Sequence, residues 1–263
     1  MLPVLIHIGF LKIYSFGVFV VLALLWGMFF VWKYVKLTAL KEEEVFDMVF
    51  VGILSGAIIS RLLYVLLHWS QFGLDISRII LINGYPGLSL YGFLFGFLGS
   101  LYLLMERKKI RFIETIDYVI PGLFLALSIG KLGSFIGGID VGSQTTFFLS
   151  VLYPGYEGLR HITAVYEALL YLIFFIISQQ ILFSIRRERF HDGFLIVFFT
   201  WSVSLITLSL DTLKDNQVYW GSFSSNGLIS IVLLVVTTIY GVYYWRKQLV
   251  QIVTSISRKL KKA

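Results

Sequence analysis

The sequence predicts an all-α integral membrane protein with seven transmembrane helices, its N-terminus outside and its C-terminus in the cytoplasm. Three observations predict it: an apolar composition, seven apolar stretches of spanning length, and an uneven distribution of basic residues. The chain of 263 residues is 58% hydrophobic and only 14% charged, whereas a soluble domain is near half apolar and about a quarter charged. This excess of apolar residues indicates a chain that folds in a bilayer.

A helix needs about 20 apolar residues to cross the hydrocarbon core, and seven stretches reach that length. The first is followed by Lys33 without a small-residue cleavage site, which predicts an anchor and not a removed signal peptide. No stretch is typical of a soluble domain, and no internal repeat is visible. We therefore expect one membrane domain over 1–263 with a short basic cytoplasmic tail at 246–263. The predicted spans are approximately 13–32, 46–67, 87–105, 116–138, 163–185, 193–212 and 226–245.

The basic residues predict the orientation, because cytoplasmic loops carry an excess of Lys and Arg. If the first connection is cytoplasmic, 16 of the 22 lysines and arginines lie in inside segments and four in outside segments. The other two, Arg61 and Lys131, lie within predicted spans. The net charge of +7 then indicates basic loops facing anionic lipid rather than nucleic acid. The loop at 139–162 is expected outside.

The residue types present restrict the chemistry. The chain has no cysteine, which excludes a disulfide, a thiolate nucleophile from the protein itself and a cysteine metal site. The four histidines are scattered, the nearest two being 30 residues apart. They do not form the spacing expected of a metal cluster.

Two features of the second and third spans have both a structural and a functional interpretation. A charge at the centre of a span costs about 2.5–3.5 kcal/mol on insertion scales, so Arg61 either snorkels to the interface or faces an internal wet cavity. Gly92, Gly96 and Gly99 recur every three or four residues, which places them on one helix face and favours close helix packing. Tyr91 on the same turn is either an interface aromatic or a functional group.

The segment 128–142, SIGKLGSFIGGIDVG, combines five glycines with a lysine inside the membrane. Lys131 lies about two turns inside the outer boundary and requires an anion, which is either a carboxylate or a lipid phosphate. In the structural interpretation it pairs with Asp140 or Asp117. In the functional interpretation the glycines let the backbone approach an anionic ligand.

A second polar group opens the fifth span in 159–172, LRHITAVYEALLYL. Arg160 and His161 begin it, and Tyr166 and Glu167 both lie between one and two turns further in. Glu167 is therefore expected to be a buried acid, and His161 is either a neutral histidine at the interface or a group that titrates near neutral pH. Because the intramembrane cations of the second and fourth spans lie at a similar depth, we expect one polar cavity that opens toward the outer leaflet.

In order and spacing, these segments resemble the prolipoprotein diacylglyceryl transferase family, and the resemblance covers nearly the whole chain. Residues 130–142, GKLGSFIGGIDVG, are similar to the family signature GRxGNFxNGExxG, and 160–170, RHITAVYEALL, to its RHPSQLYE segment. The weaker similarities are LSLYGFLFG at 88–96 to MSFHGGLxG, DYVIP at 117–121 to D-F-I-A-P, RLLY at 61–64 to GGRxGY, and YSFG at 14–17 to the family's H/W-x-Y-G.

The departures from the family pattern concern its chemical groups. The family histidine is Tyr91 here, its signature arginine is Lys131, and its acid is Ile139, with Asp140 following. Lysine keeps the charge of arginine but loses its bidentate fork. The two asparagines are replaced by Ser134 and Gly137, and the charged triplet of the sixth span aligns without gaps with Val203, Thr207 and Leu210.

The resemblance implies an enzyme that transfers a diacylglyceryl group from phosphatidylglycerol to the lipobox cysteine thiol of prolipoproteins, the first step of bacterial lipoprotein maturation. It implies no metal or soluble cofactor, no nucleic acid partner, and a multi-pass protein of the bacterial plasma (inner) membrane. Lys131 and Arg61 would hold the phosphate, and His161 or Tyr91 would act as base. The implied substrate-binding residues are Arg61, Gly133, Ser134, Gly138, Asp140, Arg160, Tyr166 and Glu167, and the implied catalytic residues are Tyr91, Lys131 and His161.

Two other functions stay open at the level of sequence. A family member that has lost the chemistry would bind lipid or precursor protein without transfer, and the replaced residues of the sixth span favour it. A transporter or small channel would be expected to show broken, symmetry-related spans, and the sequence has no such repeat.

Overall fold

The computed structural model describes residues 2–8, 11–81, 85, 87–215, 219–220 and 223–260. Helices make up most of this part of the chain, and its strands form two-stranded antiparallel hairpins. The helices are α1 (Ser15–Val35), α2 (Glu42–Leu67), α3 (Trp69–Phe72), α4 (Ile76–Ile80), α5 (Leu90–Arg107), α6 (Phe112–Gly137), α7 (Thr163–Ile185), α8 (Phe194–Leu210) and α9 (Ser225–Leu260). The strands are β1 (Val4–Ile8), β2 (Leu11–Tyr14), β3 (Ser150–Leu152), β4 (Leu159–His161), β5 (Tyr219–Trp220) and β6 (Phe223–Ser224).

Six helical stretches of the described chain are long and apolar enough to cross a membrane, and they belong to α1, α2, α6, α7, α8 and α9. This confirms the predicted helical membrane architecture. Helix α5 occupies the place of the predicted third span but is not among the six. Its three glycines and its last two residues, Glu106 and Arg107, make it less apolar. The third span, and with it the count of seven, stays a prediction.

The spanning helices bury their small and aromatic residues and leave large aliphatic ones exposed. Phe124, Phe199 and Tyr171 are almost completely buried in the bundle. Leu25 of α1 and Ile58 of α2 are each 62% exposed. This pattern is the reverse of a soluble protein and fits helices whose outer faces contact lipid.

Helices α1 and α6 pack closely because glycines face each other. A Cβ added at Gly122 would lie 2.6 Å from the carbonyl oxygen of Gly27. Near the other end of α6, a Cβ at Gly133 would lie 2.4 Å from Cβ of Phe19. Gly133 therefore serves as a packing position against α1, whereas Gly130 has no heavy atom within 4 Å of its added Cβ.

Helices α2 and α5 form a second close pair, as the glycine spacing predicted. A Cβ added at Gly92 would lie 2.8 Å from Cα of Ser60, and one added at Gly96 would lie 2.8 Å from the carbonyl oxygen of Ser55. Gly99 has no heavy atom within 4 Å of its added Cβ. The predicted packing face is thus confirmed at two of its three positions.

The basic tail begins within α9, which continues as helix to Leu260. Residues 261–263 of the predicted tail lie outside the described residues. At the other end of the chain, the Ser15 hydroxyl donates to the carbonyl of Leu2, and Leu2 N donates to Ile136 O at 3.0 Å. These contacts hold the first residues against the end of α6.

We predict that Gly96→Ala lowers stability by about 1–3 kcal/mol, because a methyl group there forces apart two well-packed helices. The matched control is Gly99→Ala on the same helix, whose added Cβ meets open space and which should be neutral or slightly stabilising. Thermal unfolding in mild detergent measures both. Equal melting temperatures for the two variants would contradict the packing assignment.

Candidate active site

The segment that follows α6 forms the backbone frame of the site. Ser143 N donates to Leu213 O at 2.8 Å, and Asp215 N donates to Val141 O at 3.0 Å. On its other side, His161 N donates to Ser143 O at 3.1 Å. The segment therefore lies between strand β4 and the residues after α8, and it brings parts of three distant helices to one place.

A glycine is required in the middle of this frame. A Cβ added at Gly142 would lie 2.2 Å from the carbonyl oxygen of His161. No side chain fits at that distance, so the close approach of the two backbones depends on glycine. This glycine is thus explained by its contact with the backbone of His161, a neighbour that the sequence alone could not identify.

Four charged side chains form one continuous ion-pair network on this frame. The Lys131 Nζ lies 2.7 Å from Asp140 Oδ2 and 2.7 Å from Glu167 Oε2. The other oxygen of Glu167, Oε1, lies 2.6 Å from Lys214 Nζ. We call these four residues the charge cluster. It joins α6, α7, the segment after α6 and the segment after α8.

The charge cluster is electrically balanced and largely removed from solvent. The Glu167 side chain has no exposed surface, Lys214 is 12% exposed and Lys131 is 17% exposed, whereas Asp140 is 31% exposed. Removing one partner of a buried pair leaves an uncompensated charge, which is strongly destabilising. Loss of Glu167 is expected to be the most destabilising, because it is the only carboxylate of the cluster that contacts both lysines.

Local geometry at the end of α6 directs Asp140 toward Lys131. Gly138 ends the helix in the left-handed region, with φ 67° and ψ 29°, where glycine is favoured. Ile139 N then donates to Ser134 O at 2.9 Å. Burial raises the pKa of Asp140, but the Lys131 ammonium and its hydrogen bond outweigh this and hold that pKa below its ordinary value, with help from the Ser134 hydroxyl. Asp140 is therefore a carboxylate at neutral pH.

Asp117, the other acid considered for Lys131, has a different task. Its Oδ2 accepts a hydrogen bond from Gly193 N at 2.7 Å. A carboxylate at this point satisfies a free amide at the N-terminus of α8 and complements the helix dipole. The ion pair expected between Lys131 and either acid is thus formed with Asp140.

Arg160 lies beside the charge cluster in a pair of its own. One guanidinium nitrogen, Nη1, donates to Gly142 O at 3.0 Å and to the carboxylate of Asp215. The guanidinium also lies 4.6 Å from the ring centre of Tyr156. These contacts hold the frame together, and the substrate-binding role of Arg160 stays a prediction.

His161 and Tyr166 lie at the same edge of the site. The His161 ring is 6.0 Å from the ring of Phe147 and 6.4 Å from that of Tyr166. Its Nδ1 is buried and has no hydrogen-bond partner among the described residues. The Tyr166 hydroxyl donates to Leu149 O at 2.8 Å. The catalytic role of His161 stays a prediction.

Tyr91 lies deeper in the bundle, on α5. Its hydroxyl hydrogen-bonds the Ser230 hydroxyl of α9. The hydroxyls of Ser204 and Thr207 on α8 are buried close to the Tyr91 hydroxyl. The result is a group of hydroxyls among α5, α8 and α9, and the catalytic role of Tyr91 stays a prediction.

Arg61 makes contacts that differ from both interpretations of the sequence. Its Nε, Nη1 and Nη2 each donate, at 2.9 Å, to one backbone carbonyl. The acceptors are Ile79, Gly87 and Arg78, so the guanidinium ties α4 and the residues before α5 to α2. A guanidinium replaces solvent as a donor to free carbonyls, which accounts for its burial. Its phosphate-holding role stays a prediction.

The structure joins Lys131, Asp140 and Glu167 directly, and it adds Lys214, to which the sequence had assigned no role. Lys214 was counted as one of four basic residues in outside segments. A signal was present, because Lys214 is a lone cation at the end of a long apolar span, three residues after Asp211. Its partner lies 47 positions away along the chain, which no local pattern encodes.

We predict that Glu167→Gln lowers stability by about 3–5 kcal/mol, because it leaves two buried ammonium groups without their shared carboxylate. The matched control is Glu44→Gln. Glu44 also contacts two lysines, Lys41 and Lys108, at 3.7 and 4.0 Å, but it is 40% exposed.

Exposed pairs contribute at most about 1 kcal/mol, so the control should melt close to the wild-type protein. Thermal unfolding in detergent compares the two variants. A Glu167→Gln protein as stable as the Glu44→Gln protein would show that the charge cluster does not support the fold.

Comparison with known proteins identifies relatives whose similarity extends over the whole candidate site. A family model described as prolipoprotein diacylglyceryl transferase matches residues 3–244, which include every residue of the charge cluster. Three bacterial relatives carry the name phosphatidylglycerol–prolipoprotein diacylglyceryl transferase. That of Clostridioides difficile strain 630 is 27% identical and aligns over 88% of this chain and 91% of its own.

The other two relatives also align with this chain over most of their length. The protein of Finegoldia magna is 21% identical over 90% of this chain and 92% of its own. That of Listeria monocytogenes serotype 4b is 25% identical over 93% of this chain and 90% of its own. With its apolar helices, the chain is a multi-pass membrane protein, and it belongs to the prolipoprotein diacylglyceryl transferase family.

Proposed function

We propose that this protein transfers the diacylglyceryl group of phosphatidylglycerol to the thiol of the lipobox cysteine in prolipoproteins. The observation that carries this proposal is the family match over residues 3–244. The relatives are named for this reaction, and the match is continuous rather than confined to one motif. The chain itself has no cysteine, so the reacting thiol comes from the substrate.

In this reaction the thiolate sulfur attacks the glyceryl carbon that bears the phosphate ester. The carbon–oxygen bond breaks, its electron pair stays on the phosphate oxygen, and glycerol phosphate leaves as a thioether forms. Cationic groups placed at the phosphate stabilise the charge that develops on this leaving group. Lys131 and Lys214, whose ammonium groups are 2.7 and 2.6 Å from the two oxygens of Glu167, are the cations that support this role.

The thiol must lose its proton because the thiolate is the nucleophile. We propose that His161 is the base that accepts this proton, because its buried Nδ1 has no hydrogen-bond partner among the described residues. The hydroxyl of Tyr91 is already bonded to Ser230 and is the alternative. The other residues of the proposed substrate-binding site are Arg61, Gly133, Ser134, Gly138, Asp140, Arg160, Tyr166 and Glu167. Among them, Arg61, Gly133 and Gly138 shape the site through the backbone.

A binding protein without transfer is the second candidate function. The observation that favours it is the charge balance of the cluster, in which two carboxylates neutralise two lysines. A neutral cluster has no surplus positive charge for a phosphate. This protein would bind lipid or precursor and release both unchanged.

We expect the purified protein, mixed with phosphatidylglycerol and a lipobox peptide, to form a peptide that carries diacylglyceryl on its cysteine, detected by mass spectrometry. Lys131→Ala should reduce the rate about 100-fold or more, which is typical of losing one group that stabilises developing charge. Lys131→Arg keeps the charge and should retain more activity than the alanine variant.

Lys108→Ala is the control, because Lys108 lies 4.0 Å from the partly exposed Glu44, outside the charge cluster. It should react like the wild-type protein. A wild-type protein that binds phosphatidylglycerol but gives no product would favour the second candidate function.

We also propose one membrane domain over residues 1–263 with seven spans in the bacterial plasma membrane, the N-terminus outside and the basic tail in the cytoplasm. In this topology the loop that carries Asp140 and Phe148 lies outside, and the connection between α7 and α8 lies inside. The excess of basic residues in the inside segments supports it.

Labelling of single cysteines tests this orientation, because the natural chain contains none. We expect a membrane-impermeant maleimide to label Phe148→Cys in intact cells, since Phe148 is 81% exposed. Arg187→Cys, in the turn after α7, should be labelled only after permeabilisation. The reverse pattern would invert the proposed topology.

A further inference from the structure

Lys131 contacts two carboxylates that differ in how easily each can leave. Glu167 is on the second turn of α7, is fully buried and also contacts Lys214. Asp140 follows the end of α6 and is the most exposed member of the cluster. Within the described chain, Lys131 is the only lysine at ion-pair distance from its carboxylate. Losing Glu167 would leave Lys214 without its carboxylate and Lys131 with Asp140 alone, whereas losing the Asp140 carboxylate leaves both lysines in contact with Glu167.

The Asp140 side chain can move without its backbone. Its carbonyl accepts from the Tyr153 hydroxyl at 3.3 Å, and the next residue, Val141, accepts from Asp215 N at 3.0 Å. These bonds hold the main chain in place while rotation about the side-chain bonds carries the carboxylate toward solvent. The groups that face this carboxylate are the Lys131 ammonium and the Ser134 hydroxyl, with Lys214 further away.

Charge balance gives the reason for such a movement. The cluster holds two positive and two negative groups. A phosphate diester adds one negative charge, and a buried excess of one charge is costly. If the Asp140 carboxylate turns outward as the phosphate enters, the buried charges balance again and Lys131 exchanges one anion for another.

We propose that Asp140 is a place-holder for the lipid phosphate, whose carboxylate occupies the anion position on Lys131 until a phosphate diester displaces it. This inference rests on the proposed function for the identity of the lipid. It makes Asp140 a residue that sets the affinity of the site for an anionic lipid. When an internal anion competes, the apparent affinity equals the intrinsic affinity multiplied by the fraction of molecules in which that anion has moved away.

The test is equilibrium binding to the full-length protein in nanodiscs, without acceptor peptide, for wild type and Asp140→Asn. Asparagine keeps the shape of the side chain and its capacity to bond Ser134 but removes the competing charge. If one molecule in about ten of the wild type has the carboxylate displaced, the apparent dissociation constant for phosphatidylglycerol falls about tenfold in the variant. Binding of uncharged diacylglycerol should not change.

Two comparisons make the result specific. Asp140→Glu restores a competing charge and should return the affinity toward the wild-type value. Asp75→Asn is the matched control, since Asp75 also forms an ion pair, with Arg78 at 3.1 Å, on an exposed part of the chain. Binding of soluble glycerol phosphate is measured in a separate experiment. If Asp140→Asn tightens the binding of glycerol phosphate alone, the site binds free phosphate instead of lipid, and the proposal is overturned.

Unchanged phosphatidylglycerol binding by a folded Asp140→Asn protein would overturn the proposal, because the carboxylate would then not compete with the lipid. Weaker binding would overturn it too, because Asp140 would then help to hold the lipid. The outcome is separable from the proposed function. Tighter binding without product in the transferase assay would support the place-holder and reject the transfer reaction. Product formation by the wild type, with no change in binding by the variant, would do the opposite.

Discussion

The structure depends on one buried carboxylate that contacts two lysines inside a membrane protein. Glu167 contacts Lys131 of α6 through one oxygen and Lys214 through the other. Because a charge away from water must be paired, these contacts fix the positions of α6 and of the chain after α8 relative to α7. The frame on which His161 and Arg160 lie follows from that arrangement.

Close helix packing is the second requirement, and it explains why so many glycines are present. Gly122 and Gly133 let α1 approach α6, and Gly92 and Gly96 let α5 approach α2. In a bilayer the helices gain little from hiding apolar surface, so close contact between backbones takes on a larger share of the stabilisation. The glycines after α6 act differently, because Gly138 ends the helix and Gly142 allows two backbone segments to meet.

The same arrangement brings two lysines together although the family's charged residues are replaced. Lys214 reaches Glu167 from beyond the end of α8 rather than from a helical turn. It adds a second ammonium next to Lys131, while the aligned positions within α8 hold uncharged side chains such as Val203 and Thr207. The cluster holds two lysines and two carboxylates, so its charges balance without any further anion.

The sequence by itself determined the helical membrane architecture, because a span needs about 20 apolar residues and each such run is visible locally. Helix ends were less certain; α2 begins at Glu42 rather than near 46, since its acidic first turn suits a helix N-terminus. Glu167 as a buried acid and Asp140 as a partner of Lys131 were also foreseeable. Only the tertiary structure decided that Lys214 completes the cluster and that Arg61 binds three carbonyls, because both contacts join segments whose proximity depends on the packing of several helices.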